Sequence, residues 1–321
     1  MKSTYVGYHV AVVGTGRVGR PTAYTLLREG LMEELSLVDI KPGLAWAFGE
    51  ELKHAAASLK LDVEINTYER DEDVSGADLV VITAGKPRTP GVKMSRRDLV
   101  YENARTIAYI AEVMPPRNRG ARWVVVSNPV DAMATLFKKV SGESYVISTG
   151  DHADTLRFRV KLAEELQVPF SEVEGYVGGE HGKAAYPLWS TVRIGGQPLE
   201  DYLASTGKTL DREAVVEYVR GVSKRIVDII GGTEYGPASA FRDIIRSIIE
   251  DRREIYSVAV SRELPGIPEA VNVNVPIHVG RSLGPDLWDE LTEEEQKAII
   301  EAAKAIYETY KLGLEAIGKT P

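Results

Sequence analysis

HVAVVGTGRVG, residues 9–19, predicts a strand that runs directly into a glycine-rich turn. The apolar run 9–13 is typical of a buried strand, and the periodic apolar residues that follow Gly19 indicate a helix. Gly14 permits a tight turn, Gly16 lets the backbone approach a pyrophosphate, and Gly19 lets helix and strand pack closely. Helix N-termini attract anions. The predicted dinucleotide-binding residues of this turn are Gly14, Thr15, Gly16, Arg17, Val18 and Gly19.

Asp39 indicates which dinucleotide the turn binds. It ends a second predicted strand, residues 35–38, about 20 residues beyond the last glycine of the turn. A carboxylate at this position accepts hydrogen bonds from the ribose hydroxyls and repels a 2′-phosphate. The sequence therefore predicts NAD as the cofactor, and Lys41 close by leaves NADP open as the alternative.

Strand and helix patterns alternate through the first half of the chain. Further buried strands are predicted over residues 62–66, 78–83, 123–127 and 145–149, with a helix over about 95–114. Such alternation is typical of an α/β fold, here a doubly wound parallel Rossmann sheet. Ligands bind such sheets beyond the carboxyl ends of the strands, where the glycine turn and Asp39 both lie.

The second half has a mixed α+β pattern. Strands are predicted over residues 173–177, 185–194, 255–261 and 271–279, and helices over about 211–230, 237–250 and 292–313. No repeat or flexible linker separates the halves. We therefore expect a dinucleotide-binding domain over residues 1–150 and a substrate-binding, catalytic domain over 151–321, which share an interface.

Composition narrows the classes of function. The 321 residues are 44% hydrophobic, carry a formal net charge of −8 and include no cysteine. The charge argues against a nucleic-acid partner, and no apolar run is long enough for a membrane span.

The absence of cysteine excludes disulfides, thiolate metal ligands and a cysteine nucleophile; no metal site is predicted. With an N-terminus that lacks the apolar core of a signal peptide, these features favour a cytoplasmic protein. The 27% of charged residues and the small number of Asn and Gln residues favour heat adaptation, with ordinary drift in composition as the alternative.

A histidine in a second glycine-rich turn carries the predicted chemistry. His181 lies in Gly178-Gly-Glu-His-Gly182, downstream of Asp154 and Arg157 on a predicted helix. An imidazole transfers protons near neutral pH. An aspartate can fix its tautomer and stabilise the imidazolium, and an arginine can bind a carboxylate through two parallel hydrogen bonds. An isolated His-Gly pair is more often an ordinary loop, so the prediction of proton transfer depends on all three residues.

These motifs together resemble the lactate/malate dehydrogenase family over essentially the whole chain. The matching residues are Gly14–Gly19, Asp39, residues 83–85, Arg88, Met94-Ser-Arg96, Asn103, residues 126–131, 154–159, 179–182 and 233–238. The resemblance implies that His181 is the general acid/base and Asp154 its orienting partner. It also implies that Arg157 binds the C1 carboxylate of the substrate and that Arg96 polarises the reacting carbonyl as hydride moves.

The resemblance further implies the remaining contacts. Asn128 positions the substrate and the nicotinamide, and Thr233 lies against the substrate. Asn103, Val126 and Ser127 line the cofactor site together with Asn128. Arg97 is the alternative to Arg96, because the loop between Pro90 and Arg96 is about two residues longer than usual in the family. The family also implies a homo-oligomer, either a tetramer or a dimer.

Arg88 indicates the substrate. It lies in the basic segment 86–97, which has five positive charges and no negative charge. In the family that it resembles, malate enzymes have arginine at this position and lactate enzymes have glutamine. A second substrate carboxylate needs a countercharge in a closed site, whereas an unpaired arginine there would be a buried charge without a partner. The resemblance thus implies a small dicarboxylate, malate or oxaloacetate, with lactate and pyruvate as the alternative.

Overall fold

The computed structural model describes residues 7–86 and 96–320, with every side chain in those ranges except that of Arg96. Within this part of the chain, twelve strands and nine α-helices are formed. The strands are β1 His9–Val13, β2 Glu34–Val38, β3 Glu64–Tyr68, β4 Leu79–Ile82, β5 Arg122–Val125, β6 Val146–Ser148, β7 Val173–Gly179, β8 Ala185–Ile194, β9 Gln197–Pro198, β10 Glu254–Arg262, β11 Val271–Val279 and β12 Leu283–Asp286. The α-helices are α1 Gly19–Glu29, α2 Leu44–Leu59, α3 Arg96–Val113, α4 Val130–Ser141, α5 Gly150–Leu166, α6 Leu199–Thr206, α7 Arg212–Ile230, α8 Tyr235–Glu250 and α9 Glu293–Ala316.

One sheet runs through the molecule. Its first six strands are parallel, in the spatial order β3-β2-β1-β4-β5-β6. The sheet then continues as the antiparallel strands β10-β11-β7-β8-β9, with β12 paired to β11. The junction between β6 and β10 is a single residue pair, Ser148 with Ala259. The predicted α/β fold is confirmed: a parallel Rossmann sheet precedes a mixed region.

The parallel sheet is covered on both faces, which explains its continuous apolar strands. Successive side chains of a strand point to opposite faces. Ala11 and Val13 of β1 join the core cluster that includes α3, α4 and α9, whereas Val10 and Val12 join the cluster that includes α1, α2 and α8. All four side chains are buried, as expected for a strand that lies between two others, here β2 and β4.

One predicted strand is shifted in the structure, and the helix that follows β2 was not predicted. The third strand was predicted over residues 62–66, but it occupies Glu64–Tyr68, where it pairs in register with β2. Helix α2 was not predicted from the sequence. Its N-cap is Gly43, with a positive φ of 73° and no capping side chain, so the sequence carries little signal for its start. None of the helices in the described ranges has both the length and the apolar character needed to cross a membrane.

Candidate active site

The glycine turn leaves β1 at the carboxyl edge of the parallel strands. Gly14 has a φ of +94°, and a Cβ atom there would lie 2.7 Å from the backbone nitrogen of Ala84. A Cβ on Gly19 would lie 1.8 Å from the carbonyl oxygen of Gly14, so α1 packs against the turn only with glycine there. Gly16, by contrast, has open space where a Cβ would stand. Two glycines therefore permit close packing, and the third leaves the backbone approachable, which fits a dinucleotide pyrophosphate.

Asp39 ties the end of β2 to this turn. Its Oδ2 accepts hydrogen bonds from the backbone nitrogen of Thr15 at 2.8 Å and from Thr15 Oγ1 at 3.0 Å. Its Oδ1 accepts from the backbone nitrogen of Lys41 at 3.0 Å. The half-buried carboxylate thus lies beside the predicted pyrophosphate site, where the ribose of a dinucleotide would be expected.

Arg17 joins the turn to the segment that holds Thr233. Its Nη1 donates to the carbonyl oxygen of Ile230 at 3.3 Å and forms an ion pair with Glu234 Oε1 at 3.3 Å. A Cβ on Gly232 would lie 2.5 Å from Cδ of Arg17, so a glycine makes room for this side chain. Half-buried Thr233 is therefore held next to the glycine turn, although it lies more than 200 residues away in sequence. Val18, the residue before α1, is half-buried against the α1 side of the core.

The predicted residues after β4 and β5 form one hydrogen-bonded group. Asn103 of α3 donates through Nδ2 to the carbonyl oxygen of Asn128 at 2.6 Å. Its Oδ1 accepts from the backbone nitrogen of Lys86 at 2.7 Å. Ser127 Oγ donates to the carbonyl oxygen of Ala84, and Val126 is buried beside it. These bonds fix the backbone on both sides of the sheet edge, while the side chain of Asn128 remains exposed.

His181 and Asp154 form the predicted pair. His181 Nδ1 lies 2.7 Å from Asp154 Oδ2, and Arg157 Nη1 forms an ion pair with the other oxygen of the same carboxylate. Asp154 and Arg157 lie three residues apart on α5, which places them on one helix face. The side chain of Asp154 is 4% exposed, but that of His181 is 23% exposed. The histidine can therefore receive a ligand at its outer ring nitrogen while the aspartate stays dry.

Electrostatics favour an ion pair between these two groups. Burial lowers the pKa of His181, but the charge and hydrogen bond of Asp154 outweigh it, so the pKa lies above its ordinary value. Burial raises the pKa of Asp154, but His181 and Arg157 outweigh it, and the pKa lies below its ordinary value. Each partner thus stabilises the charged form of the other. An imidazole whose charged form is stabilised in this way is suited to accepting a proton from a substrate hydroxyl.

Asp131 is a site residue that the sequence-based assignment missed. It is the second residue of α4 and is 2% exposed. Its Oδ2 accepts from the backbone nitrogen of His181 at 2.8 Å, and its Oδ1 accepts from Ser148 Oγ at 2.6 Å and Asn274 Nδ2 at 3.0 Å. One buried carboxylate therefore holds the His181 turn against α4, β6 and β11. The available signal was its place in the family-like segment 126–131, where it carried no assigned role.

The basic segment lies mostly outside the described residues. Arg88 is among residues 87–95, so its predicted role stays a prediction, and Arg96 begins α3 without a described side chain. Arg97 is described: its Nη2 donates to Tyr101 Oη at 2.6 Å and pairs with Glu315 Oε2 at 3.2 Å. Arg97 is thus directed towards the end of α9.

The His181–Asp154 pair and the neighbouring Asp151 could together contact a metal ion. Ligand atoms of Asp151, Asp154 and His181 lie within 4.8 Å of one another. Arg157, however, already places a positive charge on Asp154. A cation at this position would have to approach a guanidinium, which disfavours a metal centre.

Comparison with known proteins agrees with this geometry. The family model for the NAD-binding domain of lactate/malate dehydrogenase matches residues 8–146, and the model for the α/β C-terminal domain of the same family matches residues 152–317. The malate dehydrogenase of Sulfolobus acidocaldarius is 40% identical over 96% of this chain and 97% of its own length. The L-lactate dehydrogenase of Thermus aquaticus is 33% identical over 92% of this chain and 96% of its own.

A solved structure shows the same architecture. The minor L-lactate dehydrogenase of Enterococcus mundtii superposes with a TM-score of 0.86 at 28% identity, covering 94% of this chain and 98% of that one. The glycine turn with Asp39 and the His181–Asp154 pair thus occur in a chain that matches both family models over nearly its full length. The chain belongs to the lactate/malate dehydrogenase family.

Proposed function

We propose that the chain is an NAD-dependent malate dehydrogenase, which transfers hydride reversibly between (S)-malate and NAD⁺ to give oxaloacetate and NADH. The observation that carries this proposal is the His181–Asp154 pair at 2.7 Å, with Arg157 on the same carboxylate, in the same chain as a dinucleotide turn. The 40% identical relative named malate dehydrogenase supports the choice of substrate.

The protein residues act on the proton and on the substrate carboxylates. The glycine turn and Asp39 would hold NAD⁺, which would supply the hydride acceptor for C2 of malate. His181 removes the hydroxyl proton through Nε2, because Nδ1 faces Asp154. Asp154 stabilises the resulting imidazolium, and Arg157 binds the C1 carboxylate through guanidinium nitrogens that Asp154 does not use. In the reverse direction the imidazolium returns its proton to the carbonyl oxygen of oxaloacetate.

Arg88 and Arg96 supply the remaining positive charge in this proposal. Arg88 pairs with the distal carboxylate, and Arg96 stabilises negative charge that develops on the carbonyl oxygen. The contacts of Arg97 with Tyr101 and Glu315 support Arg96 for the latter role. Asn128 and Thr233 complete the substrate contacts, each in a segment anchored to the cofactor side of the site.

Cofactor binding is assigned to the glycine turn and the neighbouring strand ends. Asp39 would hold the ribose hydroxyls, and the exposed backbone at Gly16 would face the pyrophosphate. The remaining proposed cofactor contacts are Gly14, Thr15, Arg17, Val18, Gly19, Asn103, Val126, Ser127 and Asn128.

We also propose domains over residues 1–150 and 151–321, supported by family matches that meet near residue 150.

A homotetramer, with a dimer as the alternative, is supported by large apolar side chains exposed on this chain, including Trp46, Ile229 and Tyr235. A second copy of the chain could cover such side chains. The cysteine-free composition supports a cytoplasmic location, and the net charge of −8 supports the expectation that nucleic acid is not a partner.

Parallel assays of NADH oxidation with oxaloacetate and with pyruvate test the proposal. We expect a clearly larger kcat/KM for oxaloacetate. A larger value for pyruvate would support the alternative, an L-lactate dehydrogenase like the Thermus aquaticus relative. Failure to oxidise NADH with either substrate would contradict both functions.

A further inference from the structure

Asp151 is a fully buried acid that the proposed mechanism does not use. It is the second residue of α5 and is 0% exposed. Among the described residues, neither of its carboxyl oxygens receives a hydrogen bond from a donor. Buried polar groups are normally paired, and an ionised carboxylate without donors is among the most costly groups to bury. The absence of donors therefore calls for a proton on Asp151 itself.

The surroundings of Asp151 are acidic. An oxygen of Asp151, an oxygen of Asp154 and a ring nitrogen of His181 all lie within 4.8 Å of one another. The charges of Asp131 at the start of α4 and Glu180 in the turn before His181 also raise the pKa of Asp151 and so disfavour a charge on it. The cations beside the cluster, His181 and Arg157, both contact Asp154.

Two buried carboxyl groups this close do not both ionise, because their charges repel in a region of low dielectric constant. Asp154 has two cationic partners, so it keeps the negative charge and the proton resides on Asp151. Burial and the neighbouring Asp154 raise the pKa of Asp151 well above its usual range, in agreement with this assignment. A protonated Asp151 gains one O–H donor, and the neighbouring Asp154 carboxylate can accept its hydrogen bond.

We propose that Asp151 is a protonated positioning residue that donates a hydrogen bond to Asp154 and thereby moderates how strongly Asp154 stabilises the His181 imidazolium. Asp151 and Asp154 then carry one negative charge between them, and Asp154 presents it to His181. This proposal rests on the proposed acid/base function of His181, but it concerns protonation states that are measurable without turnover.

Infrared spectroscopy of the full chain gives the direct test. We expect the wild type to show, at neutral pH, the C=O stretching band of a protonated carboxylic acid, and Asp151→Asn to lose that band. If wild type and variant do not differ in this band, Asp151 carries no proton and the proposal is overturned. The same result would follow if a metal ion occupied the place of the proton.

Histidine NMR gives the second test, because it reports the pKa of His181 in solution. The chain has five histidines, and His181→Gln identifies the signal to follow. Asp151→Asn keeps a neutral donor, so we expect the His181 pKa to move by less than about 0.5 pH unit. Asp151→Val removes the donor and leaves Asp154 with its full charge, so we expect the pKa to rise by about 0.5–1 pH unit, the worth of one ordinary hydrogen bond.

An ionised Asp151 would give the opposite sign. Removing a second negative charge would destabilise the imidazolium, so both variants would lower the His181 pKa, and that result would overturn the proposal. Thr149→Val is the matched control, because it removes a buried hydroxyl at the start of the same helix that has no partner among the described residues; we expect no change there. If Asp151→Val does not fold, the infrared band and Asp151→Asn still decide the question. Failure of the proposed function would appear in the turnover assay, not in these measurements.

Discussion

Replacing Asp131 by Asn should weaken the hydrogen bonds that hold the backbone of His181 in place, because Asn has nearly the same shape but no charge. The carboxylate accepts three hydrogen bonds, from His181, Ser148 and Asn274. An amide has only one acceptor atom, so its NH₂ group must face either the His181 N–H or the Asn274 amide. Asn274 cannot turn round without cost, since its Nδ2 also donates to the carbonyl oxygen of Gly179 at 3.0 Å. One buried donor is therefore left without an acceptor.

The size of the effect follows from these contacts. An orphaned buried donor costs about 1–3 kcal/mol, and hydrogen bonds to a charged group are worth about 1.5–3 kcal/mol. Burial raises the pKa of Asp131, which means that its charge is costly in the folded state. Removing this charge therefore offsets part of the stability lost with the hydrogen bonds. We expect the free energy of unfolding to fall by about 2–3 kcal/mol, a large share of the roughly 5–15 kcal/mol typical of a folded protein.

We also expect a lower kcat/KM, because the backbone of His181 would no longer be held by Asp131. Displacements of about 1 Å can cost roughly 10²-fold in rate, so we expect kcat/KM to fall by roughly 10- to 100-fold. Urea unfolding and NADH-linked kinetics measure the two effects. Ser148→Ala is the control: it removes one donor to Asp131 but leaves the bond to His181, so kcat/KM should fall much less. A kcat/KM for Asp131→Asn within about twofold of wild type would refute the positioning role.

Three further changes test the other parts of the site. His181→Asn should lower turnover by roughly 10²–10⁴-fold, the range for loss of a general acid/base, while fluorescence titration still shows NADH binding; near-normal turnover would refute the assignment. The pKa of His181 is raised by Asp154, so malate oxidation, which needs the neutral ring, should be lost as pH falls through that raised pKa, and oxaloacetate reduction should be lost as pH rises through it. Asp154→Asn should move both limbs of the pH profile to lower pH, and an unmoved profile would contradict the pairing. Asp39→Ala should weaken NAD binding and favour NADP relative to wild type, whereas a wild type that already prefers NADPH in side-by-side kinetics would contradict the role of Asp39.

Local patterns were predictable because their physics is local. The turn from Gly14 to Gly19 needs glycine for reasons that involve only adjacent backbone, and Asp39 follows its strand directly. His181 and Asp154 were predicted as a pair because each lies in a recognisable motif. Their separation of 2.7 Å, and the ion pair of Arg157 with the same carboxylate, required the structure.

The supporting contacts were not predictable, because they join distant parts of the chain. Asp131 meets His181 across 50 residues and Asn274 across 143 residues, and no periodicity records such a meeting. Asp151 illustrates a second reason. Acidic residues in the first turn of a helix usually lie in solvent, where they stabilise the helix. The complete burial of Asp151 beside Asp154 therefore depends on tertiary packing that the local sequence does not indicate.

The ratio of kcat/KM for oxaloacetate to that for pyruvate, measured for wild type and Arg88→Gln, tests the proposed malate dehydrogenase activity most directly. Oxaloacetate would bring an uncompensated carboxylate into the substrate site of the variant. Loss of one partner of a buried charge pair costs on the order of 2–5 kcal/mol, so the account predicts a ratio well above one in wild type that falls by roughly 30- to several-thousand-fold in Arg88→Gln. A wild-type ratio below one, or a ratio that the substitution leaves unchanged, would contradict the account.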